Sequence, residues 1–141
     1  MNNAIDLFAD ADDIDVNMLS IPGVGSGNNG RQLSRLIDLC SERGDCFAVI
    51  DIAKASTLAR NTLTDAINTS IADAISQAAG FDDSYAACYW PWIRMQDATT
   101  NQLIWVPPSV GAYYAIAYND KVSYPWFAAA GFNRGLLDFA T

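Results

Sequence analysis

The run CFAVIDI at residues 46–52 constrains the fold more than any other feature of this chain. It is almost continuously apolar, so as a strand it must bury both faces. A doubly buried strand belongs in a parallel sheet covered by helices. The flanking sequence agrees. Residues 14–21 carry apolar side chains at Ile14, Val16, Met18, Leu19 and Ile21, and Pro22-Gly23 stops them, which predicts a first strand. Residues 31–43 space Leu33, Leu36, Ile37 and Cys40 as a helix does, and Gly44 stands where a helix terminates in the left-handed region. Strand, helix and strand in this order predict a right-handed crossover and a parallel pair.

A second helix is predicted over residues 63–78, with Leu63, Ala66, Ile67, Ile71, Ala74, Ile75 and Ala78 on its apolar face and Gly80 beyond its end. Residues 85–95 read as a third strand, interrupted by Pro91, which belongs at an edge or a bulge. The polar stretch 97–102 is a turn into a short strand at residues 103–106, and Pro107-Pro108-Ser109 opens a helix over residues 110–118. The expected fold class is therefore α/β: a mixed, largely parallel sheet flanked by helices, in one domain over residues 1–141. Thirteen of the 16 aromatic residues lie from Tyr85 onward. The segment from residue 119 onward is too short and aperiodic to hide Tyr124, Trp126, Phe127, Phe132 and Phe139 by itself. It must pack on this domain or on another chain.

Composition then removes function classes. There are no histidines, so no Ser-His-Asp triad, no histidine metal ligand and no imidazole switch can be built. A net charge of −8 disfavours nucleic acid and anionic membrane surfaces. The first 15 residues contain five aspartates and no Lys or Arg, unlike a secretory leader. No apolar run approaches the ~20 residues that span a bilayer. Cys40, Cys46 and Cys88 form no CxxC pair and are expected as reduced, packed thiols. No metal or cofactor is expected.

Three motifs resemble functional sites without completing them. Gly25-Ser-Gly27-Asn-Asn-Gly30 matches GxGxxG between a predicted strand and helix, and Asp51 stands where a dinucleotide-binding fold keeps its ribose-binding acid. This leaves a nucleotide- or dinucleotide-binding enzyme domain as an alternative, although Pro22-Gly23 lengthens the loop beyond the usual tight turn. Asp10, Asp12, Asp13 and Asp15 suggest a calcium loop, but positions six and twelve hold Asp15 and Ile21 in place of Gly and Glu. Ser109 lacks a nucleophile-elbow context, and only Lys54 and Lys121 offer a lysine base.

A more specific pattern begins at residue 84 with SYAACYWPWI, continues with WVPPS at 105–109 and AYYAIAYND at 112–120, and closes with YPWFAAAGFNRG at 124–135. This ordered series resembles the core of the contractile tail sheath proteins of bacteriophages. DVNMLSIPG at 15–23 and RGDCFAVID at 43–51 are similar to the same family. The resemblance covers roughly residues 5–135 and implies a subtilisin-like core in fold only, with no enzymatic activity. It implies a structural subunit that stacks with other copies in hexameric rings around a tail tube. The assembly, in the virion and built in the host cytoplasm, contracts to drive the tube through the envelope. A sheath of a related contractile injection system is a further alternative. The resemblance also implies that the tube-facing C-terminal domain, which carries most contact with the tube protein, is absent from these 141 residues. Neither nucleic acid nor direct membrane binding is implied. Candidate structural or subunit-contact residues are Tyr89, Trp90, Pro91 and Trp92 at an aromatic sheet edge, Pro107 and Pro108 at the turn into the helix, Trp126, and Asn133 with Arg134 fixing the loop that follows them. Whether these residues pack internally or meet a neighbour stays open on sequence grounds.

Overall fold

The computed structural model describes residues 2–24, 26–52 and 63–140. They form two compact units that divide between Trp90 and Pro91. The first is an α/β unit. After a short helix α1 (Asn2–Ile5) and a 3-10 turn (Asp6–Phe8) come β1 (Met18–Ser20), α2 (Ser26–Arg43), β2 (Phe47–Asp51), α3 (Leu63–Ala78) and β3 (Ala86–Tyr89). The three strands make a parallel sheet in the order β1-β2-β3, with Leu19 opposite Ala48 and Val49 opposite Ala87. The apolar run thus lies in the centre of the sheet, where four of its five strand residues are buried.

Helix α2 packs on β2 and β1. Its Leu33, Leu36, Ile37, Leu39 and Cys40 join Cys46, Ala48 and Ile50 in one core, and Ile5 closes it from the N-terminal side. Burial of each large aliphatic side chain is worth about 1.5–3 kcal/mol, so this helix–strand contact dominates the unit's stability. Among the described residues, the buried apolar side chains fall between positions 5 and 52, with Pro108 the exception. Helix α2 ends as expected: Gly44 has φ +71°, and its N–H donates to the Cys40 carbonyl at 2.9 Å.

Three expectations shift. The first strand covers only Met18–Ser20, four residues shorter at its N-terminus than expected, and the Ile14 carbonyl is taken by a side chain. Arg43, buried at the end of α2, donates from Nη1 to the Phe8 carbonyl at 2.6 Å and from Nη2 to the Ile14 carbonyl at 2.9 Å. It also pairs with Asp45 through two contacts of 2.8 Å and holds that carboxyl below the usual range. Helix α2 begins at Ser26, five residues earlier than its apolar spacing indicates. On α3, whose bounds match the expected ones, Ile71 and Ile75 are exposed and not turned inward. The side chains of Leu63, Ala66 and Ile67 lie outside the described residues, as do Gly25 and Lys54.

The expected third strand is two strands. Pro91 lacks the N–H that would continue the ladder. The chain leaves the parallel sheet after Tyr89, and the second unit opens with the hairpin β4 (Ile93–Gln96) and β5 (Leu103–Val106), paired antiparallel with Ile93 opposite Val106. The turn between them is organised by Asp97, which accepts from the Thr100 hydroxyl at 2.5 Å and the Thr99 and Thr100 N–H groups at 3.1 and 3.3 Å. Helix α4 (Pro108–Val122) follows, four residues longer at its C-terminus than expected, with Pro107 as N-cap and Pro108 in the first turn. The last segment folds back: Met95 bridges Ala140, and Leu137 lies close against Gly111.

The Asp97 turn carries a pH prediction. Its hydrogen bonds, the Thr100 hydroxyl foremost, hold the carboxyl below its ordinary value of 3.8. A depressed folded-state value means that the contribution is complete above the ordinary value and is lost as pH falls through the folded one. Cross-hairpin NMR contacts between Met95 and Ile104 are therefore expected to persist at neutral pH and to weaken below about pH 4. Asp97→Asn should remove that pH dependence. Equal weakening in both proteins would contradict it.

Candidate interaction surface

The second unit presents its apolar side chains outward. Within α4 the buried residues are small or polar: Pro108, Ser109, Gly111 and Asn119. Gly111 explains part of this, since a Cβ there would lie 2.9 Å from a Leu137 methyl. Asn119 is buried and donates from Nδ2 to the Phe127 carbonyl at 3.0 Å, tying the segment after the helix back onto it. On β5, Leu103, Ile104 and Trp105 are all exposed, and the Arg94 guanidinium carbon lies 5.6 Å from the Trp105 ring centre.

Beyond α4 the aromatics brace one another and leave their outer faces in solvent. Tyr124 and Trp126 stack at 4.7 Å with an 8° interplanar angle, and Phe127 meets Tyr124 edge-on at 5.8 Å. Arg134 covers the Phe127 ring at 5.1 Å and donates from Nε to the Ala128 carbonyl at 3.2 Å. Trp126 is nevertheless 75% exposed and Phe132 91% exposed. Large aromatics ordered by their neighbours but not covered are costly in water and mark contact surfaces.

A second aromatic group lines α4 and the terminal segment. Tyr114 and Tyr118, one helical turn apart, lie parallel at 6.0 Å, and Phe139 meets Tyr114 edge-on at 4.8 Å. The Tyr114 hydroxyl donates to Asp138 Oδ1 at 3.1 Å, and this bond holds the phenol above its ordinary pKa.

The sequence-derived candidates are thus distributed over both units. Tyr89 ends β3, which lies at an edge of the parallel sheet, and Trp90 follows it, partly exposed. Pro91 and Trp92 belong to the second unit. Pro107 and Pro108 shape the start of α4. Trp126 stands on the exposed aromatic ledge. Arg134 reaches back to the Ala128 carbonyl, earlier in the chain. Asn133 is exposed beside the Tyr114–Tyr118 pair.

Two buried polar residues were not singled out for these structural roles. Asn119 sits in the last turn of α4 between Tyr118 and Asp120, where a polar residue carries no local mark of burial. Asp51, the acid in an otherwise apolar strand, is buried and accepts from the Gly23 N–H at 3.1 Å through Oδ2. The glycine motif lies largely inside α2, since the helix starts at Ser26. In the first unit the three thiols are free; burial, with a hydrogen bond to Cys46, pushes the Cys40 thiol up to about 12. Among the described residues there is no cluster of three or more metal-ligating side chains, and no helix is long and apolar enough to cross a membrane.

These features define an α/β protein: a three-stranded parallel sheet flanked by helices, followed by a hairpin–helix unit with an aromatic exterior. No protein-family model matches the chain, and no curated protein matches it.

Proposed function

We propose that the chain is a structural subunit of a bacteriophage contractile tail sheath, built on a subtilisin-like core. The observation that carries this reading is the solvent-facing aromatic surface of the second unit, from Trp105 on β5 to Trp126 and Phe132. It is coupled to the ordered motif series in which those residues stand. A sheath subunit must stay folded while its contacts with neighbours are exchanged, as a rigid-body lattice transition requires. A core concentrated in α2 and β2, with aromatics left outside it, suits that division of labour. Neighbouring copies in stacked hexameric rings are the partners that cover this surface, and the tail tube lies inside the rings. The role is mechanical.

The test is electron microscopy of the full-length gene product across a range of salt concentrations. Tubular polymers are expected. The double substitution Trp126→Ala and Phe132→Ala should suppress them while leaving far-UV circular dichroism and the melting temperature unchanged. Monomers at every salt concentration would overturn the proposal.

A further inference from the structure

We infer that the cleft beside α4 is a receptor for a cationic side chain, arginine or lysine, presented by a protein partner. The cleft is lined by Tyr114, Tyr118, Phe132, Asn133, Leu136 and Asp138 and has a volume of about 110 Å³. Three of its six lining residues are aromatic and one is a carboxylate; no Lys or Arg lines it. Aromatic faces carry negative quadrupole density and attract cations, arginine most often. The parallel Tyr114 and Tyr118 rings make one wall. Tyr114 also orients the carboxylate, because its hydroxyl occupies Asp138 Oδ1 and leaves Oδ2 for another donor. The net charge of −8 adds a favourable long-range field for a positive partner.

Donor chemistry narrows the occupant. The aromatic wall and single carboxylate suit a guanidinium or an alkylammonium with its last methylenes. A hard metal ion would need several oxygens, and here there are one carboxylate and one amide. Phe132 and Leu136 extend the rim as exposed apolar surface. A free ammonium would leave that rim bare, whereas a protein segment carrying the cation would cover it. The inference does not rest on the sheath reading, although the cleft shares Phe132 with the surface assigned there to neighbouring copies.

The experiment is saturation-transfer difference NMR on the unassembled full chain, verified as monomeric by sedimentation, with N-acetyl-argininamide and N-acetyl-lysinamide. The neutral isostere N-acetyl-citrullinamide is the control. The cations are expected to receive saturation at their terminal methylenes and to bind about fivefold or more tightly than citrullinamide. Asp138→Asn, at an exposed position, should weaken them by about threefold to fivefold. Tyr118→Leu should do so without altering the charge. Equal saturation of all three ligands, or cation binding unchanged in both variants, would overturn the inference. So would an absence of saturation up to the solubility limit.

Discussion

Ile50→Ala is expected to destabilise the first unit by about 2–5 kcal/mol. Ile50 is fully buried on the central strand, in the core made with α2, and β2 is hydrogen-bonded to a neighbour on each side. With both sheet neighbours fixed, the strand cannot move to close the void, so the cost includes the cavity as well as the lost transfer energy. Domains are stable by only about 5–15 kcal/mol, so this single truncation removes a large part of the total. Chemical denaturation should show a lower midpoint with an unchanged slope. Ile50→Val, which deletes one methylene, should cost about 0.5–1.5 kcal/mol. A midpoint within error of wild type for the alanine variant would mean that this strand is not the centre of the core.

Gly135→Ala should have the next largest effect, about 1–3 kcal/mol, in the second unit. A Cβ at Gly135 would stand 2.9 Å from the Ala130 Cα and 3.0 Å from the Ala129 carbonyl oxygen. Both obstacles are backbone. The Gly135 N–H also donates to the Gly131 carbonyl at 2.8 Å, and Gly131 itself has φ +77°, so the loop has little freedom to retreat. Gly111 shows why distance alone does not decide such a case. Its added Cβ would meet a Leu137 methyl at the same 2.9 Å, but that is the far end of a side chain that can change rotamer. Gly111→Ala should therefore cost less than Gly135→Ala. Gly80→Ala is the control, since nothing lies within 4 Å of its Cβ. Near-UV circular dichroism of the aromatic ledge, followed with temperature, would rank the three. An order placing Gly80→Ala lowest in stability would contradict the packing described for residues 128–135.

Both predictions bear on function through the same physical distinction. The first concerns a core that has to survive any rearrangement between subunits. The second concerns the loop that holds Tyr124, Trp126 and Phe127 in their stacked arrangement without covering them. An ordered but uncovered aromatic surface retains little conformational entropy to lose on association, so contact there is comparatively favourable.

Much of the α/β unit is legible in the sequence itself. A run of seven residues with six apolar side chains has few places to go except the middle of a sheet, and the spacing of Leu33, Leu36, Ile37 and Cys40 allows one helix face. Gly44 marks the end of α2 because a residue without a Cβ enters the left-handed region at no steric cost. The early start of α2 was less visible. Glycine and asparagine are weak helix formers, and no apolar spacing reaches back to Ser26 to reveal that those residues are helical.

Local pattern by itself determined the central strand, the covering helix and the proline-initiated α4, because each depends on neighbours within a few residues, and composition alone excluded histidine chemistry. Tertiary structure alone decided the rest. Pro91 ends one sheet, and the next strand joins another, because a missing N–H limits pairing but does not name the next partner. Arg43 takes carbonyls at positions 8 and 14, which are remote from it in sequence. The exposure of Trp126 and Phe132 depends on what folds over them, and an aromatic side chain carries no local mark that separates a core residue from a contact surface.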